Sequence, residues 1–315
     1  MSIVDSDELC SRVARLYYED GLTQAEIARM VGVSRPVVSR CLSQARVKGL
    51  VKIEVFDPEE ACKERAEVLK QIFGLKEVII VPNSKDDDQE AKRAVSEVAA
   101  SYLHGIIRDR AVIAVSWGTT MYEVAGRLIP NGLSGVRVVQ LNGNARSSRT
   151  HENAATILMK FAQAYNAESY SLPAPAVTRS RDLCAQFLAD PGIRSTIDLA
   201  KRADVAVFSV GFPDARSILV EAGYVTAQEV ASLVTRGAVG DICSRYFDIN
   251  GNIVDPELDA RTIGIGLEDL RNKEHTVGVA AGAHKARGIV GAARGGYVNT
   301  LIIDELAALE MMRLT

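Results

Sequence analysis

Two rhythms of apolar residues divide the chain. Near the N-terminus they recur at helical spacing: Leu9, Val13, Leu16 and Tyr17 in DELCSRVARLYYEDG, then Ile27, Ala28, Met30 and Val31, then Val37, Val38, Cys41, Leu42 and Ala45. A 3.6-residue period of this kind predicts helices with one buried face. Further on, the pattern changes to short continuous apolar runs: KEVIIV (76–81), RAVIAV (110–115), VRVVQL (136–141), DVAVFSV (204–210), HTVGVA (275–280) and NTLIID (299–304). Between most of them lie helical stretches, among them 88–108, 118–129, 151–166 and 283–294. Strands apolar on both faces that alternate with helices predict an α/β fold, a mostly parallel sheet covered on both sides. ACKERAEVLKQIFG reads as a connecting helix ending at Gly74.

The two short helices around Gly32 carry the signals of a helix-turn-helix. Thr23 followed by Glu26 forms a capping box. Ala28 supplies the small residue that a close helix crossing needs, and Gly32 supplies the positive φ of the turn. Ser34 is placed to cap the second helix, with Pro36 tolerated in its first turn. Ile27, Val33 and Val38 fill the shared core. Ser34, Arg35, Ser39, Arg40 and Ser43 then face outward, as residues entering a major groove do. The bland alternative is an ordinary helical hairpin with solvated arginines. GLVKIEVFD alternates like a short strand, or wing, before Asp57-Pro58 breaks it. The expected division is a winged helix-turn-helix DNA-binding domain at 1–57 and a larger domain at 58–315.

Charge changes the picture locally. The formal net charge of -3 argues against a chain that is basic throughout. Yet Arg29, Arg35, Arg40, Arg46, Lys48 and Lys52 fall between Ile27 and Ile53 with no acidic residue among them, while Asp5, Asp7, Glu8, Glu19, Asp20 and Glu26 precede them. Such local asymmetry suits contacts with nucleic-acid phosphates. Composition, 47% apolar and 24% charged, is that of an ordinary soluble protein. Cys10, Cys41, Cys62, Cys184 and Cys243 are scattered, and His104, His151, His275 and His284 show no metal spacing. No disulfide framework, metal or cofactor is expected. A reduced cytoplasmic setting fits, with no signal layout and no membrane span.

In parallel sheets, ligands bind at the carboxyl ends of strands. Four segments there are polar. In VSWGTTMYEVAGRL, Ser116, Gly118, Thr119 and Thr120 stand between a strand and a helix, where hydroxyls and free N–H groups hold a phosphate or carboxylate; a plain turn is the alternative. In QLNGNARSS, Gln140, Asn142 and Asn144 are amides able to read sugar hydroxyls, or equally generic turn residues. In GDICSRYFDINGN, Asp241 is the favoured hydroxyl acceptor over Asp248, and Asn250-Gly251 reads as a turn. In VAAGAHKARG, Gly282 follows a strand and Lys285 falls in the first turn of the next helix. A cation is unfavourable there unless an anion lies nearby. His284 reads as structural or exposed, and Trp117 as core packing.

Together, LYYEDGLTQAEIARMVGVSRPVVSRCLSQARVKGLVKI, VSWGTT, QLNG, GDICSRYFD and AGAHK resemble the SorC family of bacterial sugar-responsive transcription regulators, in the family's order and over nearly the whole chain. SLPAPAV and TIGIGLEDL look most like its deoxyribonucleoside-regulator branch. The resemblance implies a DNA-reading head and a Rossmann-like effector domain similar to sugar-phosphate isomerases and deaminases. It also implies homodimers or tetramers on palindromic operators and a phosphorylated sugar as effector. The loop matching Ser116–Thr120 and the lysine matching Lys285 would hold that effector, with the acid matching Asp241 on its hydroxyls. Two positions depart from the pattern. Ala281-Gly282 stands where a Gly-Gly pair is usual, and Asn142 stands where some aldehyde-binding relatives carry a Schiff-base lysine, so covalent capture there is not expected. The competing functions are a sugar-phosphate isomerase or deaminase with an N-terminal appendage, for which no His–carboxylate constellation is evident, and a hairpin that binds a protein partner.

Overall fold

In the computed structural model the chain divides into two compact units, Met1–Asp57 and Pro58–Thr315; the structure describes residues 6–52, 57–82, 87–145, 154–215 and 217–315. The first unit holds α1 (Asp7–Tyr18), α2 (Gln24–Val31) and α3 (Arg35–Val47). Thr23 and Glu26 make the reciprocal capping box that opens α2, and Gly32 closes it in the left-handed region at φ 74°. Ile27, Ala28, Val38, Cys41, Leu42 and Ala45 meet Cys10, Val13 and Ala14 of α1 in one small core. The seam of α1 therefore runs through Cys10 and Ala14, with Leu9 and Leu16 at its margins and Tyr17 37% exposed, rather than along Leu9, Leu16 and Tyr17. Small residues win that position because α3 approaches closely. Residues 50–52 form no strand, and 53–56 of the expected wing lie outside the described residues.

The second unit opens with α4 (Pro58–Phe73), closed by Gly74 at φ 63°. There follow β1 (Glu77–Val81), α5 (Asp88–Ile106), β2 (Val112–Val115), α6 (Thr119–Ala125), β3 (Arg137–Gln140), α7 (Ala154–Ala164), β4 (Glu168–Tyr170), α8 (Arg181–Ala189), α9 (Pro191–Lys201) and β5 (Val205–Ser209). The chain continues through α10 (Ile218–Glu221), α11 (Ala227–Thr235), β6 (Gly240–Ile242), β7 (Arg245–Phe247), α12 (Pro256–Ala260), β8 (His275–Ala280), α13 (Ala286–Arg294), β9 (Thr300–Asp304) and α14 (Glu305–Arg313). Seven strands form one sheet in the order β1-β9-β8-β5-β2-β3-β4, and every pairing in it is parallel.

The strands are apolar on both faces because both are covered. Val112, Ala114, Ala206, Phe208, Leu301 and Ile303 pack toward α4, α9, α13 and α14. Their neighbours Ile113, Val115, Val205, Val207 and Ile302 pack toward α5, α6 and α7. Burying each large aliphatic side chain stabilises by about 1.5–3 kcal/mol. From β2 the chain winds one way to β3 and β4, while β5 and β8 lie on the other side of β2. The strand order thus reverses between β2 and β5, which opens a crevice at their carboxyl ends. The antiparallel hairpin β6–β7 and a satellite core around Ala176, Val177, Leu219, Leu233 and Tyr246 stand apart from the sheet.

Candidate functional site

A cavity of about 360 Å³ occupies this crevice. Ser116, Gly118, Thr119 and Thr120 enter from the end of β2, Asn142 from beyond β3, Ser209, Gly211 and Phe212 from the end of β5, and Lys285 from beyond β8. Asp241 comes from the hairpin rather than from a strand of the main sheet. It reaches the cavity because Gly211 and Asp241 form a backbone bridge, their N–H and C=O groups exchanging bonds of 2.8 and 3.3 Å. Gly211 has no side chain for a physical reason: a Cβ there would overlap the Asp241 carboxylate. The hairpin turns through Cys243 and Ser244 at φ 53° and 69°, a left-handed pair that non-glycine residues seldom adopt. That turn aims the Ser244 N–H at Asp241 Oδ2, 3.2 Å away.

The electrostatics follow from burial. Desolvation pushes the Asp241 carboxyl up to about 6, against the opposing pull of the Ser244 N–H and Lys285. Desolvation and then the nearby Lys92 push the Lys285 ammonium down to about 8, with Asp241, Asp88 and Asp304 pulling the other way. Among the described residues no hydrogen bond or salt bridge ends on the Lys285 ammonium. Asn142 is buried, and nothing among the described residues hydrogen-bonds its Oδ1. A buried carbonyl oxygen without a donor is costly, so a ligand hydroxyl would be accepted there.

Three sequence expectations fail locally. Gln140 does not line the cavity. Its amide is used up inside the fold: Nε2 donates to the Asn142 carbonyl at 2.6 Å and to Asn144 Oδ1 at 3.1 Å, and Oε1 accepts the Leu172 N–H at 3.2 Å. Gly282 is likewise not at the cavity surface. It stands at φ 99° with its N–H on Asp304, 2.8 Å away. A Cβ there would meet the His284 ring at 2.6 Å and Asp88 at 2.9 Å. Lys285 ends a short 3₁₀ turn (Ala283–Lys285) that precedes α13, so it is not in the first turn of that helix. α6 has only seven residues. So short a helix contributes little dipole, and side chains must supply most of the field for an anion. Asp248 closes its own turn, accepting from the N–H groups of Asn250 and Asn252. Residues 146–148 of the loop after Gln140 lie outside the described residues.

Sequence reasoning missed Lys92, whose Nζ donates to Thr119 Oγ1 at 3.3 Å, and its α5 neighbours Asp88 and Gln89. It also missed Tyr246, paired opposite Asp241, and the apolar wall of Phe212, Ile218 and Leu219. A search confined to strand ends could not find a lysine one turn into a helix. Trp117 is half-buried between two cores, lines the cavity, and donates Nε1–H to the Gly143 carbonyl at 2.7 Å. His284 is exposed at the rim, with its ring edge-on to Phe212 at 5.4 Å.

On α3, Ser34, Arg35, Ser39, Arg40 and Ser43 are all exposed, on the side opposite buried Val38, Cys41, Leu42 and Ala45. Ser34 occupies the N-cap position without making a side-chain cap bond. Thr23, by contrast, accepts the Glu26 N–H and donates to the Glu26 carboxylate.

The Sugar-bind family, described as "Putative sugar-binding domain", matches residues 57–313, and a Crp-like helix-turn-helix domain matches residues 8–60. The deoxyribonucleoside regulator of Bacillus subtilis (strain 168) is 38% identical over 304 residues, 96% of this chain and 97% of its own. The chain belongs to the SorC/DeoR-like family of sugar-binding transcription regulators. The full-length sorbitol operon regulator of Klebsiella pneumoniae superposes on this regulator with a TM-score of 0.75 at 29% identity, covering 98% of this chain and 99% of that one. A transcriptional regulator from Streptococcus pneumoniae TIGR4 gives a TM-score of 0.76 at 25% identity over 82% of this chain and 99% of that one. The regulator thus joins an N-terminal helix-turn-helix to a larger sugar-binding α/β domain, and it is a DNA-binding protein rather than an enzyme. Among its described residues no helix is long and apolar enough to cross a membrane, and no cluster of His, Cys, Asp or Glu could hold a metal ion.

Proposed function

We propose that the regulator binds a palindromic operator as a homo-oligomer in the cytoplasm and that a phosphorylated sugar in the β2/β5 crevice controls its affinity for DNA. The observation that carries this reading is the pairing, in one cavity, of Lys285 and Asn142, whose ammonium and amide oxygen have no hydrogen bond among the described residues, with a carboxylate at Asp241. A sugar phosphate presents the complementary groups: an anion for Lys285, Thr119 and Ser116, and hydroxyl donors for Asp241 and Asn142. The lysine found in aldehyde-binding relatives is absent at Asn142, so this contact is non-covalent. On the head, Arg35 and Arg40 contact phosphates or guanine edges, while Ser34, Ser39 and Ser43 set the register of α3 in the groove. A useful switch needs a coupling of ~1–3 kcal/mol between effector and operator.

The test is a thermal-shift panel of pentose and hexose phosphates beside their unphosphorylated sugars. A ligand at 100 times its dissociation constant stabilises the fold by ~2.7 kcal/mol. The shift is expected with a phosphorylated member and is lost in Lys285→Ala and Thr119→Ala, both of which still bind operator. A shift that unphosphorylated sugars reproduce in full would overturn the phosphate assignment.

A further inference from the structure

The cations that this domain withdraws from solvent fall into two groups. Arg245 is satisfied by the fold: its guanidinium donates to the carbonyls of Ile265 at 2.8 Å and Thr262 at 3.1 Å, and pairs with Asp259 at 2.5 Å. Lys273 is satisfied too, capping the end of α9 through the carbonyls of Ala200, Lys201 and Ala203 at 2.8, 2.7 and 3.3 Å. Lys285 and Lys92 are not. Among the described residues Lys285 has no hydrogen bond, and Lys92 has a single one, to Thr119 Oγ1. Both line the same cavity, and Lys92 is close enough to oppose the charge of the Lys285 ammonium. Two like charges are held together at a cost unless something between them compensates.

Resting on the sugar-phosphate reading of this cavity, we infer that Lys92 and Lys285 form a two-ammonium clamp on a single dianion, so that the site selects a doubly ionised phosphate monoester over a singly charged sugar carboxylate. Thr119, which Lys92 contacts and which lines the same cavity, is a hydroxyl partner of the same anion. The seven-residue α6 is too short to supply this charge itself, which leaves the task to the lysines. The remaining charged groups facing Lys285 are Asp88 on α5, Asp241 on β6 and Asp304 at the end of β9, with His284 beside it on its own turn. With the Lys285 ammonium pushed down to about 8, a dianion bound near that pH draws a fraction of a proton onto it.

The experiment uses the full chain with inorganic sulfate, inorganic phosphate and acetate as probes, read by titration calorimetry in buffers of differing ionisation enthalpy. Sulfate stays doubly charged across the range, whereas phosphate takes up a proton and loses its second charge as pH falls below neutral. Expected are binding of sulfate and phosphate well above acetate, proton uptake at pH 8, and sulfate affinity that falls as pH rises through 8. Lys92→Met and Lys285→Met each lower sulfate affinity at least tenfold, Lys285→Met also removes the pH dependence, and Lys92→Arg stays within a few-fold of the parent. Acetate bound as tightly as sulfate, or Lys92→Met matching the parent, would overturn the clamp. If Lys92→Met binds normally while Lys285→Met does not, the clamp alone falls; if neither variant loses affinity, the cavity reading falls with it.

Discussion

The head and the large domain keep their cations in opposite states. On α3, Arg35 and Arg40 stand in water, on a helix whose buried side is a small core. In the β2/β5 crevice, Lys92 and Lys285 are half-buried, near Asp241, whose carboxyl burial pushes up. Exposed charges meet a polyanion over a wide surface and gain from released counterions. Half-buried charges meet one small anion, in a setting where salt screens little. The difference separates the two binding events chemically, so conditions and substitutions can move one without the other.

The largest expected effect is on operator binding. Arg35→Ala and Arg40→Ala should each weaken affinity for a selected operator by about 10- to 100-fold, the range for a lost guanine or phosphate contact. The effector-dependent thermal shift should stay unchanged in both. Raising salt from 50 to 200 mM should weaken operator binding by about 10³-fold or more if roughly six phosphates are contacted. Over the same range the sugar phosphate should lose only a few-fold, because its cations are shielded from solvent. Fluorescence anisotropy for DNA and calorimetry for effector measure the two slopes side by side, and equal slopes would erase the distinction.

A smaller effect separates the anion-holding side of the cavity from its hydroxyl-reading side. Gly211→Val places a branched side chain where the Asp241 carboxylate lies. The carboxylate must move, and loss of a charged hydrogen bond of this kind costs about 1.5–3 kcal/mol, or roughly 10- to 100-fold in effector affinity. Sulfate binding should change far less, since Asp241 accepts hydroxyls and acts on the anion only through its attraction for Lys285. If sulfate binding fell as far as sugar-phosphate binding, the two sides would not be independent.

Much of this was legible in the sequence, and the limit of legibility is physical. The capping box at Thr23 and Glu26 and the left-handed turn at Gly32 are local chemistry, so adjacent residues announce them. The six longer strands of the sheet declare themselves as short apolar runs, the five interior ones because both faces are covered and the edge strand β1 with alternate positions only half-buried. β4 and the β6–β7 hairpin, three residues each, are too short to carry a period. Ser116 to Thr120, Asn142 and Lys285 were found because parallel sheets concentrate ligands at strand ends. Lys92 was not, since nothing in DQEAKRAV distinguishes a lysine that reaches Thr119 from one that reaches water. Gln140 misled for the converse reason: its type suits a sugar, but its neighbours in space, Asn142, Asn144 and Leu172, take both of its amide N–H groups and a lone pair of its oxygen. The same residue type serves structure or site according to whether the fold completes its bonds, and that is settled only by packing.

The smallest expected effect runs in the opposite direction from the others, toward greater stability. The Asp241 carboxyl, near 6 in the folded state, lies above its ordinary value because burial disfavours its charge. Above pH 6 the group is ionised in both folded and unfolded chains, and the folded state carries the desolvation cost. As pH falls from 6 toward 4 the folded chain takes up a proton that the unfolded chain does not, so this group's contribution to stability improves through that window. Asp241→Asn removes the charge altogether. Two opposing effects set the gain: relief of desolvation, worth at most about 1.4 kcal/mol for each tenfold change in the ionisation equilibrium, and loss of the attraction that helps keep Lys285 charged. A net stabilisation of roughly 1 kcal/mol at pH 7.5 follows for the empty protein, equivalent to about 2–4 °C in a domain of this size. The variant's advantage should vanish near pH 4, where the folded parent's carboxyl is neutral. Its sugar-phosphate affinity should fall by about tenfold or more, because a neutral amide accepts a hydroxyl less strongly than a carboxylate does. Thermal melts of both proteins between pH 4 and 8, with and without effector, read all three quantities. An Asn variant less stable than the parent at pH 7.5 would mean that Asp241 is held by the fold and not reserved for a ligand.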